Sequence, residues 1–274
     1  MVAKRPNSKR NLDMALRRVG GTDEDYVHRR TLVANAIVAS LMPDGAVKGG
    51  SAMKVRFGEN ATRASTDLDA ARASDLEGFV RRFGDALAEG WCGFEGRVVP
   101  REPARPRDVP QGYVMQPFEV KLSYLGSPWC TVPFELGHNE IGDADEPDFV
   151  EPADANRVLA QMGFPAIGAI PTMPLHHQIA QKLHGASEPG SNRAHDLIDL
   201  QLIVAYGDVD YPLTRRTCER LFAYRRKQPW PTTIVKNEGW DGLYAAQLLP
   251  APVLPTADEA IDWANSLVTR IASS

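Results

Sequence analysis

The chain has 274 residues, of which 43% are hydrophobic and 24% are charged, and its formal net charge is −4 at pH 7. These values are ordinary for a globular protein with a sizeable core, and they exclude a wholly basic nucleic-acid coat although not a local basic patch. No segment approaches the roughly 18 apolar residues of a membrane span, and the N-terminus lacks the apolar core of a signal peptide. We therefore expect a cytoplasmic protein of one large or two packed domains, with reduced cysteines because Cys92, Cys130 and Cys218 lack C-x-x-C spacing.

The first half of the chain has the pattern of an α/β domain. Residues 1–21 are interpreted as a basic N-terminal arm, after which Thr22 caps a helix that reaches about residue 42. A short strand then runs into Gly49 and Gly50 before the next helix. The segments that follow are the strand STDLDAAR, the amphipathic helix DLEGFVRRFGDALAEGW, and the strands GFEGRVVP, GYVMQPFEVKLSYLG and WCTVPFELG, with a turn at LGSP. This order predicts a mixed sheet flanked by helices over residues 22–150.

The second half has the pattern of a mainly helical domain. An acidic, proline-containing stretch at 142–155, GDADEPDFVEPADA, is typical of an exposed connector and predicts a boundary near residue 150. Residues 151–274 then predict helices at PLHHQIAQKLHGAS, RAHDLIDLQLIVAY, TRRTCERLFAYRRK and near 257–271.

An Asp-x-Asp pair stands out in the predicted strand. Because side chains alternate along a strand, Asp67 and Asp69 project from one face and repel each other unless a cation lies between them. Oxygen ligands on a rigid strand suit Mg²⁺, which leaves coordination positions for substrate phosphates. Upstream, Gly49 and Gly50 allow a close approach of the backbone to a ligand, and Ser51 offers a hydroxyl and an amide at a helix N-terminus. Together the two features predict a metal–nucleotide site.

These residues also resemble the motifs of a known family, the AbiEii-type nucleotidyltransferase toxins of AbiE-type and MenAT-type toxin–antitoxin pairs. The first motif is KGGSAMK at 48–54 with R-x-S-x-D-x-D, which here is Arg63, Ser65, Asp67 and Asp69. The second, K-L-x-A, is similar to Lys182, Leu183, His184 and Gly185, with Ala186 displaced by one position. The third, R-x-x-D-x-x-D, is complete as Arg193, Asp196 and Asp199. The matches occur in the expected order and cover about residues 30–205.

The resemblance implies a polymerase-β-like nucleotidyltransferase fold and the transfer of a nucleotide from an NTP, with release of pyrophosphate. The implied acceptor is the 3′ end of an RNA, expected to be tRNA, and this modification is expected to stop translation. The implied partner is a cognate antitoxin. The implied catalytic residues are Asp67, Asp69, Lys182 and Asp196. The implied nucleotide-binding residues are Gly49, Gly50, Ser51, Lys54, Ser65, Arg193 and Asp199. The implied metal ligands, for Mg²⁺ or alternatively Mn²⁺, are Asp67, Asp69 and Glu135, with Glu119 as the rival third carboxylate.

Two other functions are compatible with the sequence. One is the same chemistry on a protein hydroxyl or a small molecule, and the other is an inactive nucleotidyltransferase fold that serves as a binding module. The intact Asp-x-Asp pair argues against the inactive module. A basic cluster with interleaved aromatics favours RNA over a small molecule, although a solvated helix face is the plainer interpretation. Its members are Arg215, Arg216, Arg220, Phe222, Tyr224, Arg225, Arg226, Lys227 and Trp230.

Overall fold

The computed structural model describes residues 4–19, 22–62, 67–103, 114–248 and 252–274, and it divides the chain into two compact units. Unit 1 comprises Met1–Gly58 and Ser65–Thr172, and unit 2 comprises Glu59–Ala64 and Met173–Ser274. This division differs from the boundary expected near residue 150. The reason is that the segment up to Thr172 adds a helix and strands to unit 1.

Unit 1 is a mixed α/β layer structure, as the sequence predicts. Its elements in chain order are α1 (Lys9–Arg18), α2 (Asp23–Ser40), β1 (Ala46–Val47), α3 (Gly49–Phe57), β2 (Leu68–Ala71), α4 (Leu76–Glu89), β3 (Phe94–Pro100), β4 (Gln116–Tyr124), β5 (Ser127–Gly137), β6 (Asp148–Val150), α5 (Ala153–Gln161) and β7 (Ile170–Thr172). The predicted cap of α2 is confirmed. The amide of Asp25 donates to Thr22 Oγ1 at 3.1 Å, and the amide of Thr22 donates to Asp25 Oδ2 at 2.9 Å.

The strands of unit 1 form one sheet. Within the described residues it has seven strands in the order β3-β4-β5-β2-β1-β7-β6. The pairs β2–β5 and β1–β7 are parallel, and the other neighbours are antiparallel. At the predicted LGSP turn, Leu125 and Gly126 have φ of 48° and 76°, as a two-residue hairpin that joins twisted strands requires. At the other edge of the sheet, β6 lies within residues 142–155, which the sequence predicts to be an exposed connector.

The N-terminal segment differs from the basic arm that its composition predicts. Residues 9–18 form α1, whose Leu12 and Leu16 are fully buried in the core of unit 1. The four-residue spacing of the two leucines places them on one helix face, while the basic residues occupy the others. Trp129 Nε1 donates to Asp13 Oδ1 at 3.1 Å, and Tyr124 Oη donates to the carbonyl of Pro6 at 2.5 Å. This segment is therefore bound to the sheet.

The core of unit 1 contains residues of α1, α2, α4 and α5 together with residues of the sheet, and its aromatic part lies between α4 and β5. Phe134 of β5 has its ring centroid 5.2 Å from that of Phe83 and 6.5 Å from that of Phe79, both on α4. Leu68 of β2 is the Cα partner of Phe134 and is also buried. Because side chains alternate, the next residues along β2 and β5 project from the opposite face.

Unit 2 is helical, as predicted for this half of the chain. It contains α6 (Leu175–Ala186), α7 (His195–Tyr206), α8 (Tyr211–Arg225), α9 (Trp240–Ala245), α10 (Ala257–Ala272) and a 3₁₀ turn at Glu59–Ala61. Buried Gln201 joins α7 to the C-terminal segment, since its Nε2 donates to Tyr244 Oη at 3.1 Å and its Oε1 accepts from the amide of Leu254 at 2.7 Å. Across the described parts of both units, no helix combines the length and the apolar character needed to cross a membrane.

Candidate active site

Asp69 lies in β2 against the start of α3. The amide of Lys48 donates to the carbonyl of Asp69 at 2.8 Å, which brings the first turn of α3 beside the strand. A Cβ built on Gly49 would lie 2.5 Å from Asp69 Oδ2, and Gly49 has φ of +60°. Any larger residue at 49 would be strained and would displace the carboxylate. Gly49 of the first motif therefore makes room for the aspartate of the same motif.

Ser51 ties the two halves of this motif together. Its Oγ donates to the carbonyl of Asp67 at 2.7 Å and accepts from the amide of Asp69 at 3.4 Å. The side chain is buried, and the exposed Asp67 directly precedes β2. The hydroxyl of Ser51 thus holds the backbone of the Asp-x-Asp segment in place.

Two more predicted nucleotide-binding residues, Gly50 and Lys54, lie in α3. Gly50 is buried in the first turn of α3, and Lys54 follows one turn later and is half-buried. Arg63 and Ser65 lie outside the described residues. Lys48 was not among the predicted site residues, although it opens the first motif. A Cβ on Gly137 at the end of β5 would lie 2.6 Å from Lys48 Nζ, which places this cation near the strand that contains Glu135.

Glu135 is the direct neighbour of Asp69 across the sheet. The two are Cα partners in the parallel pairing of β2 with β5, and both are half-buried. Neighbouring strands lie about 4.8 Å apart, so the two carboxylates project side by side from the face opposite Phe134. The rival Glu119 pairs instead with Pro133, one strand farther away, and lies 3.6 Å from both Arg101 Nη1 and Lys121 Nζ.

The carboxylates of unit 1 do not form a complete metal cage. Among the described residues, no group of three or more His, Cys, Asp or Glu side chains is arranged to hold a metal ion. Mg²⁺ is commonly held by one or two carboxylates together with waters and substrate phosphates. The oxygen donors on β2 and β5 fit that incomplete type of site.

A second charged cluster lies within unit 2 and contains the other two motifs. Lys182 of α6 is 4% exposed, and its Nζ lies 2.5 Å from Asp199 Oδ2 and 3.3 Å from Asp196 Oδ1, both on α7. Both carboxylates are fully buried. Buried charges are tolerated when they are paired in this way. Lys182 and Asp196, both expected to be catalytic, are thus in contact, and Asp199 joins them.

Arg193 completes this cluster from a position just before α7. Its Nε donates to Asp196 Oδ2 at 2.5 Å. Burial alone would raise the pKa of the Asp196 carboxyl, but the charges of Lys182 and Arg193 together hold that pKa below its usual value of 3.8. Asp196 is therefore a carboxylate at neutral pH. The second motif has an alanine where this chain has Gly185. A Cβ at this position would collide with Arg193, which explains the glycine.

The basic cluster of α8 divides into an exposed face and a buried one. Arg216, Arg220 and Tyr224 recur every four residues and are exposed, which places them along one side of the helix. Phe222 is 2% exposed and contacts Trp230, with 5.2 Å between ring centroids. Phe222 is thus a core residue and cannot be one of the aromatic side chains that contact RNA. Lys227 Nζ pairs with Glu188 at 2.5 Å.

A family model for the nucleotidyl transferase AbiEii toxin of type IV toxin–antitoxin systems matches residues 30–266. The chain belongs to this family. Its three motifs lie in that range, so the glycine turn, the Asp-x-Asp pair and the buried lysine cluster are parts of an AbiEii domain. Family membership makes the protein a nucleotidyltransferase, with a nucleotide substrate and an antitoxin partner.

The solved structures that align with this chain include a nucleotidyltransferase toxin. MenT4, a nucleotidyltransferase toxin from Mycobacterium tuberculosis, aligns with a TM-score of 0.51 at 18% identity over 95% of this chain and 87% of its own. JHP933 from Helicobacter pylori aligns with a TM-score of 0.45 at 13% identity over 92% of this chain and 94% of its own. No curated protein sequence matches the chain. At these identities the likeness to MenT4 concerns the fold alone.

Proposed function

We propose that this AbiEii enzyme transfers a nucleotide from an NTP to the 3′ end of RNA, with the acceptor end of tRNA as substrate, and thereby blocks translation. We further propose that Mg²⁺ binds at Asp69 and Glu135, with Asp67 beside them, and that waters and substrate phosphates supply its remaining ligands. The observation that supports the metal role is the register of β2 and β5, which pairs Asp69 with Glu135. Such a pair repels itself unless a cation offsets its charge.

The residues present fit Mg²⁺ better than a softer metal. All three side chains of the proposed site are carboxylates, which suit Mg²⁺. Zinc sites typically contain histidine or cysteine, and none of the three side chains is of either type. When bound, the ion would offset phosphate charge and lower the pKa of an attacking hydroxyl. Mn²⁺ accepts the same oxygen ligands and is the alternative ion.

The chain's own residues have separate tasks in this proposal. Gly49 leaves space beside Asp69 so that the carboxylate reaches its working position, and Ser51 fixes the backbone of the Asp-x-Asp segment. The N-terminus of α3 offers backbone amides and a positive dipole end to the nucleotide phosphates. For Lys182 we propose the role that the family resemblance implies, a positive charge for the triphosphate, and within unit 2 Asp196 and Asp199 orient its ammonium.

The support for an RNA acceptor is the exposed side of α8. Arg216 and Arg220 are spaced to contact successive phosphates, and Tyr224 continues the same line with an aromatic ring that is 38% exposed. Positive side chains that follow a backbone, together with a stacking aromatic, are the usual elements of single-strand recognition. A small-molecule acceptor would need neither.

The decisive experiment incubates the purified protein with total RNA and each labelled NTP in turn, with Mg²⁺ present. We expect label in RNA from one preferred NTP, in the tRNA size range, and loss of labelling after chelation. Asp67→Ala and Asp69→Asn should lower the rate by about a thousandfold or more, because the charge stabilisation of the transition state is lost.

Glu95→Gln is the matched control, since Glu95 is an exposed carboxylate on a strand of the same sheet. This variant should retain the wild-type rate. Label that enters a protein rather than RNA would reassign the acceptor. Full activity of Asp69→Asn would contradict the metal role of the pair.

A further inference from the structure

Gly185, which stands where the second motif of the family has an alanine, lies in the last turn of α6, one residue before the helix ends at Ala186. A Cβ at this position would lie 2.8 Å from Arg193 Cδ and 2.9 Å from Asp196 Oδ2, and closer still to Arg193 Nε. Real Cβ atoms essentially never approach other heavy atoms below 3.0 Å.

The space beside Gly185 is filled by the side chain of Arg193. That side chain passes against α6 and donates from Nε to Asp196 Oδ2 at 2.5 Å, while Asp196 Oδ1 lies 3.3 Å from Lys182 Nζ. Each oxygen of the Asp196 carboxylate is therefore held by a different cation. One of these two cations occupies the volume that a side chain at 185 would need.

We infer that Gly185 is a positioning residue for this carboxylate: it admits Arg193, and Arg193 fixes the orientation of Asp196 toward Lys182. The catalytic consequence rests on the proposed role of Lys182 in nucleotide transfer. The geometric part does not, because it concerns only the mutual contacts of four residues that all lie in unit 2.

The effect of adding a methyl group at 185 follows from the exposure of Arg193. Its side chain is 47% exposed, whereas that of Asp196 is fully buried. An arginine with half its side chain in solvent can turn outward, and a buried carboxylate cannot. The chain should therefore accommodate Gly185→Ala by releasing Arg193 from Asp196 while the helices stay folded.

The test uses Gly185→Ala beside two control variants, Gly242→Ala in α9 and Gly84→Ala in α4. Each control glycine is helical, and a Cβ added to it would meet no described atom within 4 Å. The first measurement is the NMR signal of the Arg193 Nε–H group, assigned by its disappearance in Arg193→Lys. We expect a signal protected from solvent exchange in the wild type and in both controls. In Gly185→Ala we expect the protection to be lost.

The second measurement is nucleotide transfer. A misplaced catalytic group costs up to about a hundredfold in rate, so we expect Gly185→Ala to lose about tenfold to a hundredfold in kcat with a smaller change in KM. The controls should keep the wild-type values. Absence of transfer by the wild type would overturn the proposed function, while the NMR comparison would still decide the role of Gly185.

A double variant separates positioning from general misfolding. If Gly185 acts by admitting Arg193, alanine at 185 should have little further effect once Arg193→Ala has removed that side chain, because the remaining close contact, with Asp196 Oδ2 at 2.9 Å, is only slightly below 3.0 Å. Gly185→Ala/Arg193→Ala should then match Arg193→Ala in kcat and in thermal midpoint. A protected Arg193 signal in Gly185→Ala, or a double variant markedly worse than Arg193→Ala alone, would overturn the inference.

Discussion

At the scale of single residues, two glutamates compete for the role of third carboxylate, and their surroundings differ. Glu135 faces Asp69 across a parallel strand pair, whereas Glu119 lies between Arg101 and Lys121. The charge of Glu119 is already offset by two cationic side chains, so a metal ion would stabilise it little. Glu135 lies beside another carboxylate, so a bound metal ion would relieve the repulsion between the two.

Substitution of each glutamate should therefore have a different effect on transfer. Glu135→Gln keeps the shape of the side chain but removes its charge, and we expect a fall of about a hundredfold or more in kcat, with partial recovery at high Mg²⁺. Glu119→Gln should change kcat less than about threefold, since surface ion pairs contribute little. Steady-state kinetics across a Mg²⁺ titration distinguish the two. Equal losses, or a larger loss for Glu119→Gln, would contradict the assignment.

The sequence identified part of this site and could not supply the rest. Asp67, Asp69 and the glycines are visible because they lie within about twenty residues of one another and share a motif. The partnership of Asp69 with Glu135 depends on the register of strands far apart in sequence, which no local pattern specifies. The hydrogen bond from Ser51 to the carbonyl of Asp67 is likewise a tertiary contact.

At the scale of elements, strongly periodic segments were predicted and weakly periodic ones were not. Helices α2, α4, α6, α7, α8 and α10 and strands β3, β4 and β5 occur where their patterns place them. Helix α1 was missed because only two leucines form its buried apolar face. Strands β6 and β7 were missed because each has three residues, too few to show an alternating pattern.

The pairing of α6 with α7 has a consequence for stability at low pH. Since the folded-state pKa of Asp196 lies below its usual value of 3.8, its contribution to the free energy of unfolding is complete above that usual value. It is lost as the pH falls through the folded pKa. Asp196→Asn should lower stability at pH 7 by about 3 kcal/mol or more, because Lys182 loses a buried partner.

The same variant should show a weaker loss of stability than the wild type as the pH falls below about 4. Urea unfolding followed by tryptophan fluorescence at several pH values measures both effects, since Trp240 of unit 2 is fully buried. Asp262→Asn, an exposed change on α10, is the control and should follow the wild type. An acid profile of Asp196→Asn that parallels the wild type would contradict the prediction.

At the scale of the whole molecule, the net charge of −4 opposes RNA binding in general, so any attraction must be local. The exposed arginines of α8 provide a local source, and its tyrosine provides a stacking surface. These two contributions differ in their dependence on salt. Phosphate contacts release counterions, whereas stacking does not.

Binding of a labelled tRNA across a salt series should separate the two contributions. We expect Arg216→Ala/Arg220→Ala to reduce the slope of log K against log salt by about 0.7 to 0.9 for each phosphate contact removed. Tyr224→Ala should weaken binding by about 1–3 kcal/mol at every salt concentration and leave the slope unchanged. Arg81→Ala/Arg157→Ala removes two exposed charges from unit 1 and is the control for net charge. If this control lowers the slope as much as the α8 pair does, the attraction is distributed over the surface, and α8 is an ordinary solvated helix.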